Sequence, residues 1–409
     1  MPDWRAWPFP LEDPYPAYRA ARAQAPVRYD PQLGAYVVLS HAAAERILRT
    51  PAQWSSDPRT SPALVQALGE TVAELWSRSL LMSDPPTHAR LRGAVKRFFT
   101  PRAVQRIETR VRAIVDAAVA PLADGAPVEL MNEVAYPIPL GVIAELFNIG
   151  EEGAQLLQRE TPALIGILEV TPSSSTLKAA MTAAMTLTLF LIPILAERRR
   201  HPGEDLLSAL VDAPGGQQPL EPDEIIGLCL LLLAAGHETT ANLIGNGSLA
   251  LLEHPDQLDA LDRNPELTRP AVEEMLRYDA PTQVVSRIAR EDHRLGSIQI
   301  SAGRQALIVV GAANRDPLRH AQPDQLTLRR ADQAHLAFGH GPHFCLGAAL
   351  ARVEAQAAFS RICGPLSRFR RAGWSGRRGD TATMRRLQSL WVGTSSPPGA
   401  RALTWVCSS

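Results

Sequence analysis

The chain has 409 residues, 45% hydrophobic and 21% charged, with a formal net charge of zero. This is ordinary globular composition with ample length for a large buried core, and it carries no basic surplus that would point to nucleic acid. No Gly/Ser linker, charge block or internal repeat divides the chain, so one domain over 1–409 is expected.

Near the start, "PYPAYRAARAQAP" predicts a short helix, and "APVRYDPQLGAYVVLS" two short strands about a turn at Gly34. Ser40 stands at the N-cap position of a helix over "SHAAAERILRT". From Pro51 to Met82 scattered Pro, Ser and Gly break the periodicity and predict a long loop, which in a compact domain is usually functional or disordered. Helices resume at Pro85 and continue with breaks to about Leu252, with "PVEL" (Pro127 to Leu130) as the main strand among them. "SRIAR", "LGSIQI" and "RQALIVVGAANRDP" read as short strands and turns, "LGAALARVEAQAAFSRI" as a helix, and "LQSLWVG" as part of a last strand pair. The expected fold class is mainly α with a small β-subdomain.

The strongest apolar run, Leu228 to Gly236, stops at His237-Glu238, short of the roughly 20 residues that cross a bilayer. The N-terminus lacks the apolar core of a signal peptide. A soluble, cytoplasmic protein with no membrane partner is expected. Cys229, Cys345, Cys363 and Cys407 form no CxxC pair, which suits a reducing compartment. Lys96 and Lys178 are the only lysines among 42 basic residues, a bias that often accompanies a GC-rich bacterial genome.

The densest chemistry is "FGHGPHFCLG", Phe338 to Gly347. Three readings of Cys345 stand open on these residues. A buried structural thiol needs none of Gly339, Gly341 and Gly347. A zinc site could draw on His335, His340, His343 and Cys345, but their spacing matches no common paired-ligand pattern. A haem-iron thiolate uses the glycines for close approach of the backbone to a flat macrocycle. The helix after Cys345 directs its positive end at the sulfur, favouring thiolate, its N–H groups can donate to the sulfur, and Phe338 can cover it.

Phe-x-x-Gly-x-His-x-Cys-x-Gly, read at Phe338, Gly341, His343, Cys345 and Gly347, resembles the haem-binding signature of the cytochrome P450 superfamily. The resemblance implies haem b with Cys345 as the metal ligand and Phe338, Gly339 and Gly347 around it. Three distant stretches agree. In "LLLLAAGHETTANLIG", within a helix from about Pro222 to Glu253, Glu238 and Thr239 interrupt apolar turns that imply burial on all sides. A buried carboxylate needs a reason. The resemblance supplies one, matching Ala235, Gly236, Glu238 and Thr239 to the family's segment above the haem. There Gly236 permits a local widening of the helix, and Glu238 and Thr239 are the catalytic pair. In "AVEEMLRYDAP", Glu274 and Arg277 share a helix face, and the family joins them to an arginine that Arg330 matches better than Arg329. In "SDPPTHARLRG", His88 and Arg92 are four apart and can grip one anion. In the family such residues bind haem propionates together with those matching Arg287 and His343.

What the resemblance implies is a soluble bacterial-type monooxygenase that inserts one atom of O2 into a hydrophobic small molecule such as a secondary metabolite. Electrons come from NAD(P)H through a separate ferredoxin and ferredoxin reductase, since the chain shows no flavin or nicotinamide fingerprint and no Fe–S cysteine cluster. A monomer is expected. A haem-thiolate enzyme of another reaction type (coupling, peroxygenase or isomerase) is the nearer alternative, and a non-catalytic haem sensor or carrier the farther one. The substrate pocket is implied to draw on Pro58 to Leu81, Leu228 to Thr240, Val284-Val285 and the turn near Leu387 to Ser389.

Overall fold

The structure is a computed structural model that describes residues 13–123, 128–164, 174–212, 219–372, 376–380 and 385–392. In chain order it begins with α1 (Tyr15–Gln24), β1 (Val27–Asp30), β2 (Ala35–Val38), α2 (His41–Arg49) and β3 (Trp54–Ser55). Helices then dominate: α3 (Pro62–Leu68), α4 (Glu70–Ser77), α5 (Thr87–Val95) and α6 (Pro101–Val119). After β4 (Val128–Glu129) come α7 (Pro137–Phe147), α8 (Gly150–Leu164), α9 (Ser174–Arg200) and α10 (Leu206–Val211). The longest helix, α11 (Pro222–Glu253), leads to α12 (Pro255–Arg263) and α13 (Thr268–Tyr278). Strands β5 (Val284–Ala289), β6 (His293–Leu295), β7 (Ile298–Ile300) and β8 (Gln305–Val309) run into the short α14 (Val310–Ala313). The cysteine segment, α15 (Ala348–Ala372), β9 (Gly376–Asp380) and β10 (Arg385–Val392) complete the chain.

The main sheet has the order β1-β2-β8-β5-β3. Its β2–β8 pair is parallel and the rest are antiparallel, with Val284 opposite Val309 between β5 and β8. Gly34 and Gly296, at φ +62° and +64°, turn β1 into β2 and β6 into β7. The expected strand at 127–130 is β4, paired with β10. The fold is therefore mainly helical with small sheets, as the periodicity predicts.

Local differences have identifiable causes. The stretch 51–82 is not all loop: Ser61 caps α3, its hydroxyl accepting from Leu64 N at 3.5 Å, Pro62 opens that helix, and Gly69 ends it at φ +83°. Ser40 holds the N-cap position of α2 without a side-chain bond, and the His41 N–H donates instead to Asp316 Oδ2 at 2.9 Å. After β8 the chain coils into α14 rather than continuing as strand.

α11 begins at Pro222, with Glu224 Oε2 accepting from Glu221 N at 2.9 Å. Its 32 residues span about 48 Å. The first half packs among α7, α9 and α10, and the second among α12, α13 and α15. By length and composition α9 and α11 both suffice to cross a bilayer, with mean hydropathy 2.0 and 1.3. In the sequence α9 shows no long uninterrupted apolar run, because threonines punctuate it.

Candidate active site

Gly341 fixes the shape of the Cys345 loop. It lies at φ +72°, and a Cβ there would meet the Leu48 carbonyl oxygen at 2.3 Å. Gly339, at φ +69°, also needs the left-handed region. Gly347 has no positive φ, and a Cβ on it would meet no atom within 4 Å, so the protein chain itself does not demand that glycine. The loop closes on itself where Cys345 N donates to Phe338 O at 2.8 Å. The Phe338 ring lies 4.6 Å beneath the Arg352 guanidinium.

Burial pushes the Cys345 thiol up, opposed by the Gly347 N–H, Arg92, Arg352 and the Ala348 N–H. The donors expected at the start of α15 are present, but they do not outweigh desolvation. Those N–H groups and guanidinium groups favour the thiolate form of this sulfur, and its burial disfavours it. The histidines of the zinc reading diverge. His335 faces Glu273 at 3.2 Å, His340 Nδ1 accepts from Gly341 N at 2.7 Å, and His343 Nε2 lies 3.1 Å from Ser56 Oγ.

His343 instead joins His88, with ring centroids 4.0 Å apart. Arg92 reaches the same place, its Nη2 donating to Phe344 O at 2.8 Å. Burial, then Arg287, His88 and Arg92, lower His343 to about 2, and burial lowers Arg287 to about 10. Among the described residues Arg92 and Arg287 donate to the backbone carbonyls of Phe344 and Ser286, not to a carboxylate, and the buried Nε2 of His88 has no hydrogen-bond partner. A cluster of donors with too few acceptors fits an anionic group, and a haem's two propionates supply such charge. His88, Arg92, Arg287 and His343 are thus brought together from three segments, α5, β5 and the cysteine loop.

α11 is not buried on all sides. Ala235 and Thr239 are half-buried and Gly236 is exposed, which makes one open stripe at i, i+1 and i+4. Glu238 lies behind it, buried, with Asn242 Nδ2 at 3.5 Å from Oε1. The helix runs unbroken through Gly236, without the expected widening. The Thr239 hydroxyl donates to Ala235 O at 2.8 Å, a back-bond that keeps it on the helix. α11 packs against α15, which opens just after Cys345.

The scaffold beneath the loop is ionic. Glu274 and Arg277 are fully buried and doubly bonded, at 2.7 and 2.8 Å. Arg330, not the exposed Arg329, is the third member, with Nε 3.0 and 3.2 Å from the Glu274 carboxylate. The neighbouring Glu273 was missed by sequence reasoning. Against its own burial, Arg352 and His335 hold it at about 2. Its bonds to Arg352, at 2.6 and 2.8 Å, tie α13 to α15. Only its adjacency to Glu274 could have signalled this.

The segment 165–372 matches the family model for Cytochrome P450. The chain is 40% identical over 355 residues to the cytochrome P450 monooxygenase PikC of Streptomyces venezuelae, covering 85% of this chain and 82% of the relative. It is 35% identical over 364 residues to the 6-deoxyerythronolide B hydroxylase of Saccharopolyspora erythraea, covering 86% and 88%. The crystal structure of Mycobacterium smegmatis CYP164A2 superposes with a TM-score of 0.82 at 37% identity, covering 96% and 97%. This chain is a cytochrome P450. It is accordingly an oxidoreductase of the monooxygenase class, and its family implies a haem cofactor.

Asp84 accepts from Ser56 N at 3.0 Å, from Ser55 Oγ, and from Arg290 at 2.6 Å. It thereby links the start of α5, the end of β5 and, through Ser56, His343. Ser56→Ala is expected to release the His343 ring and speed haem loss about 2- to 10-fold, the worth of one hydrogen bond. Haem transfer to excess apomyoglobin measures this, and an unchanged rate would show that Ser56 does not orient His343.

Proposed function

We propose that this P450 inserts one atom of O2 into a hydrophobic small molecule of secondary metabolism, in a single cytoplasmic domain spanning 1–409. Haem b, with Cys345 as its ligand, is the cofactor of this reading, and electrons pass singly from NAD(P)H through ferredoxin reductase and ferredoxin. The observation that carries the reading is the open stripe of Ala235, Gly236 and Thr239 with buried Glu238 behind it. PikC and the 6-deoxyerythronolide B hydroxylase, named as a monooxygenase and a hydroxylase, support it.

When bound, the haem supplies the activation of dioxygen. The chain supplies position and protons. In this reading Phe338, Gly339 and Gly347 would lie against the cofactor, and His88, Arg92, Arg287 and His343 would hold its propionates. Thr239 has a rotatable hydroxyl that can leave Ala235 O and both donate and accept. Glu238 relays protons toward it. Thr239→Ala is expected to keep haem and substrate binding while most of the NAD(P)H consumed is lost as hydrogen peroxide. Glu238→Gln is expected to slow turnover about 100-fold, in the range of a lost general acid. Product formed per NAD(P)H decides the first, and unchanged coupling in Thr239→Ala would remove the pair from the mechanism.

Pocket walls are expected from 58–81, the open stripe of α11, and Val284 and Val285 on β5, all mostly apolar. The side chains at 387–389 lie outside the described residues.

For the ferredoxin, a basic surface follows α5. The sequence presents six basic residues between Pro85 and Ile107, but two turn elsewhere. Arg90 pairs with Glu224, and Arg92 bonds Phe344 O. Lys96, Arg97, Arg102 and Arg106 are exposed, and Phe344 of the cysteine loop, which Arg92 bonds to α5, is 40% exposed. An acidic partner docked there gives reduction rates that fall as salt rises. Arg97→Glu is expected to slow reduction several-fold at low salt and to flatten the salt dependence. Rates that tolerate both changes would place docking elsewhere.

A further inference from the structure

Five of the nine exposed large apolar side chains among the described residues lie along one helix, α9: Leu177, Met181, Met185, Leu189 and Ile192. They follow at intervals of four, four, four and three, so they form one stripe. The opposite face already buries Ala180, Ala183, Leu187, Leu191 and Leu195 in the core. Packing among the described residues therefore does not account for the outer stripe. Met181, Met185 and Leu189 are 62, 67 and 65% exposed.

The face is apolar in its detail as well. Thr182 and Thr186 turn their hydroxyls back onto the carbonyls of Lys178 and Thr182, each at 3.0 Å, so neither offers a free donor outward. Lys178 is the only charged residue from 174 to 196. Alongside runs α8, whose exposed residues include Glu151, Glu152, Gln155, Gln158 and Arg159. An apolar stripe bordered by polar groups is the anatomy of a protein interface.

The spacing points to a particular partner. Around Met185, large apolar groups stand four residues away on each side (Met181, Leu189) and again at eight and seven (Leu177, Ile192). Such a stripe is its own complement when two helices run antiparallel, the self-matching that a two-fold interface requires. Ridges spaced by four interdigitate with the same ridges on another helix. This pairing sets Lys178 opposite Ile192, with no like charge facing it. We propose that this face of α9 pairs antiparallel with the same face of a second copy, forming a homodimer about a two-fold axis at Met185. Residues 177–193 make a strip about 25 Å long and about 10 Å wide. That falls short of the roughly 800 Å² per partner of a standard interface, so the dimer is reversible. The monomer expected from the sequence is its dilute form.

Sedimentation velocity of the haem-loaded full chain over a hundredfold range of concentration tests this. The wild type is expected to shift from monomer to dimer. Met185→Glu is expected to remain monomeric throughout, with its absorption spectrum and Tm unchanged, since the position is exposed. Under mild oxidation Met185→Cys should give a disulfide-linked dimer, and Leu318→Cys, at an exposed position away from α9, should not. A wild type that stays monomeric, or a dimer that survives Met185→Glu, overturns the proposal. So does a monomer that floats with phosphatidylcholine vesicles through α9, which would make a lipid surface the occupant.

Discussion

Cys345→His is expected to abolish the strongly red-shifted Soret band that a thiolate gives in the reduced carbon monoxide adduct, and monooxygenase activity with it. The cysteine sits in a loop whose form depends on Gly341, and the Gly347 and Ala348 N–H groups face its sulfur. No other described cysteine could take its place. Cys229 and Cys363 are buried in apolar surroundings, and burial pushes both thiols up to about 12. Cys229→Ala and Cys363→Ala should therefore leave the band in place, with modest loss of stability from the small cavities. Cys407 lies outside the described residues. A normal thiolate band in Cys345→His would overturn the ligand assignment.

Glu274→Ala is expected to destabilise the protein by about 3–5 kcal/mol, because it leaves a buried guanidinium without its counter-charge. Arg277 has no exposed surface, and its remaining partners are the carbonyls of Asn314, Pro323 and Gln325 at 2.8–3.1 Å. Glu274 also accepts from Thr327 N at 2.9 Å and from Arg330, so one carboxylate anchors the strand of chain leading to the cysteine loop. Loss of haem occupancy should accompany the loss of stability. Denaturant unfolding of the haem-loaded protein measures the effect. As a control, Arg361→Ala removes an ion pair with Asp116 that is half exposed on both sides, and should change nothing measurable. Glu274→Ala within 1 kcal/mol of the wild type, the range of an ordinary substitution, would show that the network is not a keystone.

Much of this was legible locally. The bounds of α11 follow from Pro222, the acids of its first turn and a long apolar pattern, all of which act within a few residues. The turns at Gly34 and Gly296 likewise depend on backbone freedom at single positions. The glycines around Cys345 mark a loop in the sequence, and for Gly339 and Gly341 the backbone angles agree.

What remained hidden depends on which faces meet. Arg329 and Arg330 are chemically alike, and the turn before the loop decides that Arg330 meets Glu274. Ser40 has good capping chemistry, yet Asp316, 276 residues later, takes the bond. Arg90 and Arg92 belong to a basic run, but Glu224 and the Phe344 carbonyl draw them out of it. The open stripe of α11 and the uncovered stripe of α9 are both apolar segments by composition, and no period within a helix states which side its neighbours cover. Sequence alone determined the helices, the turns and the chemical signature of the loop, because those depend on residues close along the chain. Only the tertiary structure decided ion partners, exposed faces and the gathering of His88, Arg92, Arg287 and His343, because packing between distant segments sets each of these.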